Sequence, residues 1–176
     1  MCIRDSLFLL FAAAAFAACN DDGEPKVRYA TTNDGIENGY LQGANLHFYG
    51  TSTVTDAKGE TFTDPEAWFE FAGGPESFSL YMHKTRFAAN MPGVEMRLQT
   101  VTYTPKGDKS LNFVREEIIP SALKENNEGG GSSYQTVERY KITNLTGAID
   151  GVDCRVSFTC AGVFQVIYEG RLIIKE

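Results

Sequence analysis

Apolar and polar residues alternate with a period of two from Gly151 to Ile174, near the C-terminal end of the sequence. Because successive side chains of a strand point to opposite faces, this period is typical of a strand with one buried face. The pattern breaks at Ala161-Gly162, which suits a tight turn, so the segment is predicted to form a β-hairpin. The residues predicted to be buried are Val152, Cys154, Val156, Phe158 and Cys160 in the first strand, and Phe164, Val166, Tyr168, Leu172 and Ile174 in the second.

Shorter alternating segments precede the hairpin, and turn residues such as Asn90–Gly93 and Asp150-Gly151 separate them. In the segment after Ala67, Phe69 and Phe71 are predicted to face the core, with Trp68 on the other face or at the mouth of a barrel. Residues 120–126 are predicted to start a short helix with proline in its first turn. The pattern as a whole predicts an all-β, antiparallel fold of about eight strands, either a barrel or a β-sandwich. The other predicted strands are residues 39–54, 60–63, 67–72, 77–87, 94–104, 110–119 and 134–149.

The N-terminal residues are predicted to direct the chain out of the cytoplasm. Residues 7–18 form an apolar run that is typical of a signal peptide and too short to span a membrane. Small residues just before Cys19 resemble the lipobox of bacterial lipoproteins, in which the cysteine is acylated; an ordinary secretory cleavage site is the alternative. Residues 1–6 look like translated adaptor sequence. We therefore predict a signal peptide over residues 1–18, a lipidated tether over 19–38 and a single domain over 39–176.

The acidic run after Cys19 resembles the surface-export signal of Bacteroidetes lipoproteins, and a simple solvated tether is the alternative. The expected location is the bacterial cell envelope, as an outer-membrane lipoprotein anchored by its lipid, with periplasmic and surface orientation both open. Hydrophobic residues make up 43% of the chain, which is enough for a real core. The net charge of −7 and the lack of a basic patch argue against a nucleic-acid partner.

The chain resembles the calycin-like lipoproteins of Bacteroides and relatives. The resemblance rests on the lipobox, on Phe87–Gly93, on Thr143–Gly147 before the last hairpin, and on Tyr168-Glu-Gly170. It implies a lipocalin-like, up-and-down barrel of eight strands. It brings no catalytic or binding residue with it.

The cysteine, histidine and serine residues lack the spacing that disulfides, metal sites and serine hydrolases require. Cys154 and Cys160 lie on the same face of one predicted strand, about 20 Å apart, which is too far for a disulfide. They are expected to be free and buried. His47 and His83 have no second ligand nearby in the sequence, and no Gly-x-Ser-x-Gly motif occurs. We therefore predict no catalytic residue, metal ligand or cofactor, and a hydrolase is the least favoured function.

Aromatic residues are more numerous than the core faces require, and they carry the functional prediction. Trp68, Tyr81, Tyr40 and Tyr103 are the candidate ligand-binding residues. An eight-stranded barrel is just wide enough to hold one small ligand, so the first hypothesis is a binding module for a small apolar or amphipathic molecule. The alternative is a surface protein with a filled core, which binds glycan or protein through loops and exposed aromatic rings.

Overall fold

The computed structural model describes residues 26–126 and 129–175, and these residues form antiparallel β-structure with one short 3-10 helix at Glu138–Tyr140. Their strands are β1 (Ile36–Glu37), β2 (Tyr40–Leu41), β3 (Asn45–Thr55), β4 (Thr61–Asp64), β5 (Trp68–Gly73), β6 (Ser77–Thr85), β7 (Val94–Thr102), β8 (Thr104–Gly107), β9 (Ser110–Ile118), β10 (Ser121–Glu125), β11 (Ser132–Thr136), β12 (Ile142–Asp150), β13 (Asp153–Cys160) and β14 (Phe164–Leu172). The prediction of an all-β, antiparallel fold is confirmed.

Within the described residues, one sheet curls into a half-barrel with the order β11-β10-β7-β6-β5-β3-β14-β13-β12-β9-β8. Strand β4 pairs with β3 beside this path, and β1 pairs only with β2. The path has eleven strands rather than about eight, because breaks at Tyr103, at Ile119-Pro120 and at the 3-10 helix divide three long segments in two. A closed, eight-stranded, lipocalin-like barrel stays a prediction.

Two of these divided segments form one hairpin that joins the opposite borders of the sheet. Strand β7 pairs with β6 near one border, whereas β8, one residue further on, pairs with β9 at the other. The second arm of the hairpin, β9 and β10, also reaches both borders, since β9 pairs with β12 while β10 pairs with β7. The chain itself therefore ties the two borders of the curled sheet together.

The C-terminal hairpin forms as predicted, except that Ile174, predicted to be buried in its second strand, lies beyond β14 and is exposed. Strands β13 and β14 pair from Asp153–Arg171 to Cys160–Phe164, and Val156 and Phe158 are buried. The turn contains Ala161 and Gly162 at φ of 54° and 73°, a left-handed conformation that suits glycine. On its other edge β14 pairs with β3 over eight residues, which places the hairpin in the centre of the sheet.

Aromatic rings fill the concave side of the sheet. Phe69 and Phe71 are buried, as predicted, and Trp68 lies on the opposite face. The Phe69 ring stacks on Tyr168 with centroids 3.8 Å apart, and the Tyr168 hydroxyl donates a 2.7 Å hydrogen bond to the Phe48 carbonyl. Further ring contacts join Phe48 to Phe71, Phe71 to Phe78 and Phe113, and Phe78 to Phe113.

Three segments differ from the sequence prediction. The helix predicted over residues 120–126 is wrong: Ser121–Glu125 forms strand β10 because Ala122 is buried beside β7. The strand predicted over residues 134–149 is interrupted by the 3-10 helix. Ordered contacts also begin before residue 39, since Tyr29 bridges to Ile173 and Ile36 is fully buried.

Both core cysteines are free and buried, as predicted. Burial raises the pKa of the Cys160 thiol to about 12 and raises that of Cys154 further. These thiols therefore act as small apolar side chains in the core. Among the described residues there is no helix with the length and apolar character needed to cross a membrane.

Candidate functional site: an aromatic strip on the outer face of the sheet

The convex face of the sheet carries a row of rings that we call the outer strip: Tyr49, Trp68, His83, Tyr81 and Tyr134. The strip follows from strand geometry, because Trp68 is the register partner of Tyr49 on β3 and of His83 on β6. Successive centroids are 5.2 Å apart for Tyr49–Trp68, 3.7 Å for Trp68–His83, 6.2 Å for His83–Tyr81 and 5.8 Å for Tyr81–Tyr134. At the far end, the Arg97 guanidinium lies 4.6 Å from the Tyr134 ring. The strip thus crosses from β3 to β11.

Trp68 is the second ring of the strip and the single tryptophan of the chain. Its indole is nearly parallel to the His83 imidazole, at an interplanar angle of 14°. The His47 ring lies on another side, with centroids 5.1 Å apart. Trp68 remains partly exposed, so it can report on events at this surface.

Two carboxylates hold the His83 ring from opposite sides. Nδ1 of His83 lies 2.5 Å from Glu95 on β7, and Nε2 lies 3.2 Å from Glu70 on β5. The other oxygen of Glu95 accepts a hydrogen bond from the Lys84 amide, and the other oxygen of Glu70 accepts one from the Asn45 side chain. Every carboxylate oxygen in this group is therefore engaged.

His47 is also close to Glu70 but is less well partnered. Its Nε2 lies 3.6 Å from a Glu70 oxygen and, although buried, makes no hydrogen bond with the described residues. Burial lowers the pKa of His47, and the negative charge of Glu70 opposes this effect. The neutral form of His47 is thus favoured by its surroundings.

A groove of about 540 Å³ adjoins the strip at Tyr49. It opens outward and lies over β3, β14, β13 and β12, with Tyr29 from the N-terminal segment on its wall. Its polar lining includes an ion pair between Arg155 and Glu169. Its volume falls within the range of small-molecule sites. The remaining lining residues are Gly50, Ala148, Asp150, Asp153, Cys154, Gly170 and Arg171.

The structure separates the four predicted ligand-binding residues into two pairs. Trp68 and Tyr81 both belong to the outer strip, on either side of His83. Tyr40 and Tyr103 contact each other elsewhere, with centroids 6.4 Å apart. The Tyr103 hydroxyl accepts from the Leu41 amide and donates to the Gly74 carbonyl, which is a structural role. The predicted lipidation site, Cys19, lies outside the described residues.

The association of His83 with Glu70 and Glu95 was missed in the sequence because the three residues lie on different strands. Alternation alone places each of them on a polar face, but only the register of β5, β6 and β7 brings them together. No group of three or more His, Cys, Asp or Glu side chains within residues 26–126 and 129–175 is arranged to hold a metal ion.

Comparison of the chain with protein-family models, with curated proteins and with solved structures found no match. The resemblance to calycin-like lipoproteins therefore stays a prediction, and the function has to be argued from the site.

Proposed function

We propose that this protein is a lipid-anchored binding protein of the bacterial envelope, and that its outer strip and the adjoining groove bind carbohydrate. The observation that carries the proposal is the continuity of the two features. Tyr49 belongs to the strip and also lines the groove, so rings and polar side chains form one surface.

The chemistry of this surface suits a sugar. The C–H faces of a pyranose ring pack on aromatic rings, and its hydroxyl groups need donors and acceptors beside those rings. Tyr29 and Tyr49 supply rings in the groove, while Arg155, Glu169 and Asp153 supply polar groups within it. A small apolar ligand, the other hypothesis, has less support, because the concave side of the sheet is occupied by packed rings such as Phe69 and Tyr168.

Hydrolysis of the sugar is a second candidate, since glycosidases use two carboxylates and Glu70 and Glu95 lie close together through their shared contacts with His83. Binding is the better-supported function because these carboxylates are already engaged. Glu70 also accepts from Asn45, and Glu95 also accepts from the Lys84 amide. Chromatography of oligosaccharides after long incubation would reveal shorter products if hydrolysis occurs.

The anchor is proposed from Cys19 and the small residues before it. Expression in a bacterial host with an alkyne-labelled fatty acid should label the wild-type chain, and Cys19→Ala should abolish the label. Label on the C19A variant, or none on the wild type, would contradict lipidation. Protease treatment of intact cells would then distinguish surface from periplasmic orientation.

Binding can be measured through the emission of Trp68. Soluble protein lacking residues 1–25 would be titrated with oligosaccharides of glucose, xylose and mannose, and in parallel with fatty acids and bile salts. We expect a saturable change with at least one oligosaccharide, and loss of that change in Tyr29→Ala and Tyr49→Ala.

Tyr40→Ala is the matched control, because Tyr40 is 44% exposed and Tyr29 is 51% exposed, yet Tyr40 lies outside the strip and the groove. Binding of fatty acids alone, or equal loss of sugar binding in the Tyr40 and Tyr29 variants, would contradict the proposed site.

A further inference from the structure

His83 is placed where its protonation state decides how many hydrogen bonds the strip contains. A neutral imidazole has one N–H group and one nitrogen lone pair. Both nitrogens of His83 face carboxylate oxygens, at 2.5 Å and 3.2 Å. In the neutral form one nitrogen lone pair would point at an anionic oxygen, whereas in the imidazolium form both contacts are charge-assisted hydrogen bonds.

We infer that protonated His83 bridges Glu70 and Glu95 and that this bridge, which we call the clasp, holds Trp68 in place. Loss of the proton loosens Trp68 and weakens ligand binding at the outer strip. The second part rests on the proposed function, since it concerns regulation of that same site. The first part is a property of the protein alone.

The position of Trp68 supports the link between the clasp and the binding surface. Its indole stacks on His83 at 3.7 Å, so an imidazolium there would gain a cation–π interaction with the electron-rich ring. If one carboxylate contact is lost, the imidazole can rotate away from the indole. His83, itself a member of the outer strip, would then also act on binding as a positioning residue for Trp68.

The charged and titratable groups around the clasp come from each neighbouring strand. Strand β5 contributes Glu70 and β7 contributes Glu95 and Arg97; β6 itself contributes Tyr81 and Lys84. The remaining groups are His47 and Tyr49 on β3, Tyr134 on β11 and Lys175 near the C-terminal end.

Only the histidines among these groups ordinarily change charge between about pH 5 and 8. Glu70 lies between His47 and His83, so the experiment must tell these two histidines apart.

The test is acrylamide quenching of Trp68 from pH 5 to 9, without any ligand. For the wild type we expect the quenching constant to rise as the pH increases from about 5 to 8, the interval in which histidines ordinarily change charge. His83→Gln removes the imidazole and should give a quenching constant that does not vary with pH. His47→Gln is the matched control and should retain the transition.

Imidazole nitrogen NMR of the wild type provides a second measurement, which does not require the His83 variant to fold. We expect one histidine to bind a proton on both nitrogens at the acidic end and to lose one over the same pH range as the change in quenching. A transition that persists in His83→Gln, or a His83 ring whose protonation is not linked to the quenching, would overturn the clasp.

The two proposals can fail separately. If the quenching transition is present but no oligosaccharide binds, the clasp stands and the carbohydrate function fails. If an oligosaccharide binds with the same affinity at pH 5.5 and pH 8.5 in both the wild type and His83→Gln, the carbohydrate function stands and regulation by the clasp fails.

Discussion

The hydroxyl group of Tyr168 should contribute measurably to stability. Tyr168 is fully buried on β14, and its hydroxyl donates a 2.7 Å hydrogen bond to the Phe48 carbonyl of β3. The ring can reach that carbonyl because the next residue on the same face is Gly170, where a Cβ would lie 2.8 Å from Cε1 of Tyr168 and 2.9 Å from its hydroxyl oxygen. Tyr168→Phe keeps the ring and its stacking on Phe69 but removes the donor.

The expected loss is about 1–3 kcal/mol of unfolding free energy, because a buried carbonyl acceptor loses its tyrosine partner. For a domain of this size that corresponds to a fall in Tm of about 2–4 °C for each kcal/mol. Urea unfolding at pH 7, followed by circular dichroism, measures the change, and the slope m should not alter. A loss below about 0.5 kcal/mol would refute the reasoning, since it would mean that the Phe48 carbonyl is satisfied without Tyr168.

The same residue predicts an alkaline response. Burial raises the pKa of Tyr168 well above its ordinary value, so the folded state keeps the phenol proton while the unfolded state loses it above about pH 10. Stability that is present below that pH should therefore fall as the pH rises further. Tyr168→Phe should fall less steeply than the wild type over the same range, and equal slopes would contradict this assignment.

Three further predictions concern the core and its border. Gly147→Ala should lower stability by about 1–3 kcal/mol in urea unfolding, because a Cβ there overlaps the Phe113 ring, and adding Phe113→Leu should restore part of the loss. Asp64 is buried and accepts two hydrogen bonds from Arg86, which lowers the pKa of its carboxyl group. The wild type should thus be more stable than Asp64→Asn at pH 7. The difference in stability should vanish as the pH falls below about 4 and through the lowered pKa of Asp64, and a difference that does not change with pH would contradict this prediction. Both core thiols should resist a thiol reagent in the folded protein and react once urea unfolds it, and rapid reaction under native conditions would argue against their burial.

Local patterns in the sequence were sufficient to predict most of the long strands and the C-terminal hairpin, but not the partners of the other strands. The alternation from Val152 to Cys160 predicted β13 because every second residue is apolar, and a half-buried strand needs nothing more. Residues 121–125 misled the prediction because Pro120 suits a first helical turn, whereas pairing with β7 and β11 overrides that preference.

The outer strip could be predicted only in part for the same reason. Trp68 and Tyr81 were identified as candidate binding residues from their ring type alone. That His83 lies between Glu70 and Glu95 depends on the register of three strands, and a shift of one residue would have placed these side chains on the concave side. Pairing register is a property of the whole sheet, and no single segment encodes it.

The hairpin that runs from β7 and β8 into β9 and β10 has a mechanical consequence. Because its arms pair at both borders, the sheet cannot flatten without breaking the β8–β9 or the β7–β10 hydrogen bonds. Covalent connectivity, and not side-chain packing alone, therefore sets the curvature of the outer surface. The outer surface is thus a convex platform whose backbone shape is fixed in advance, so a molecule that docked there would cost the backbone little conformational entropy.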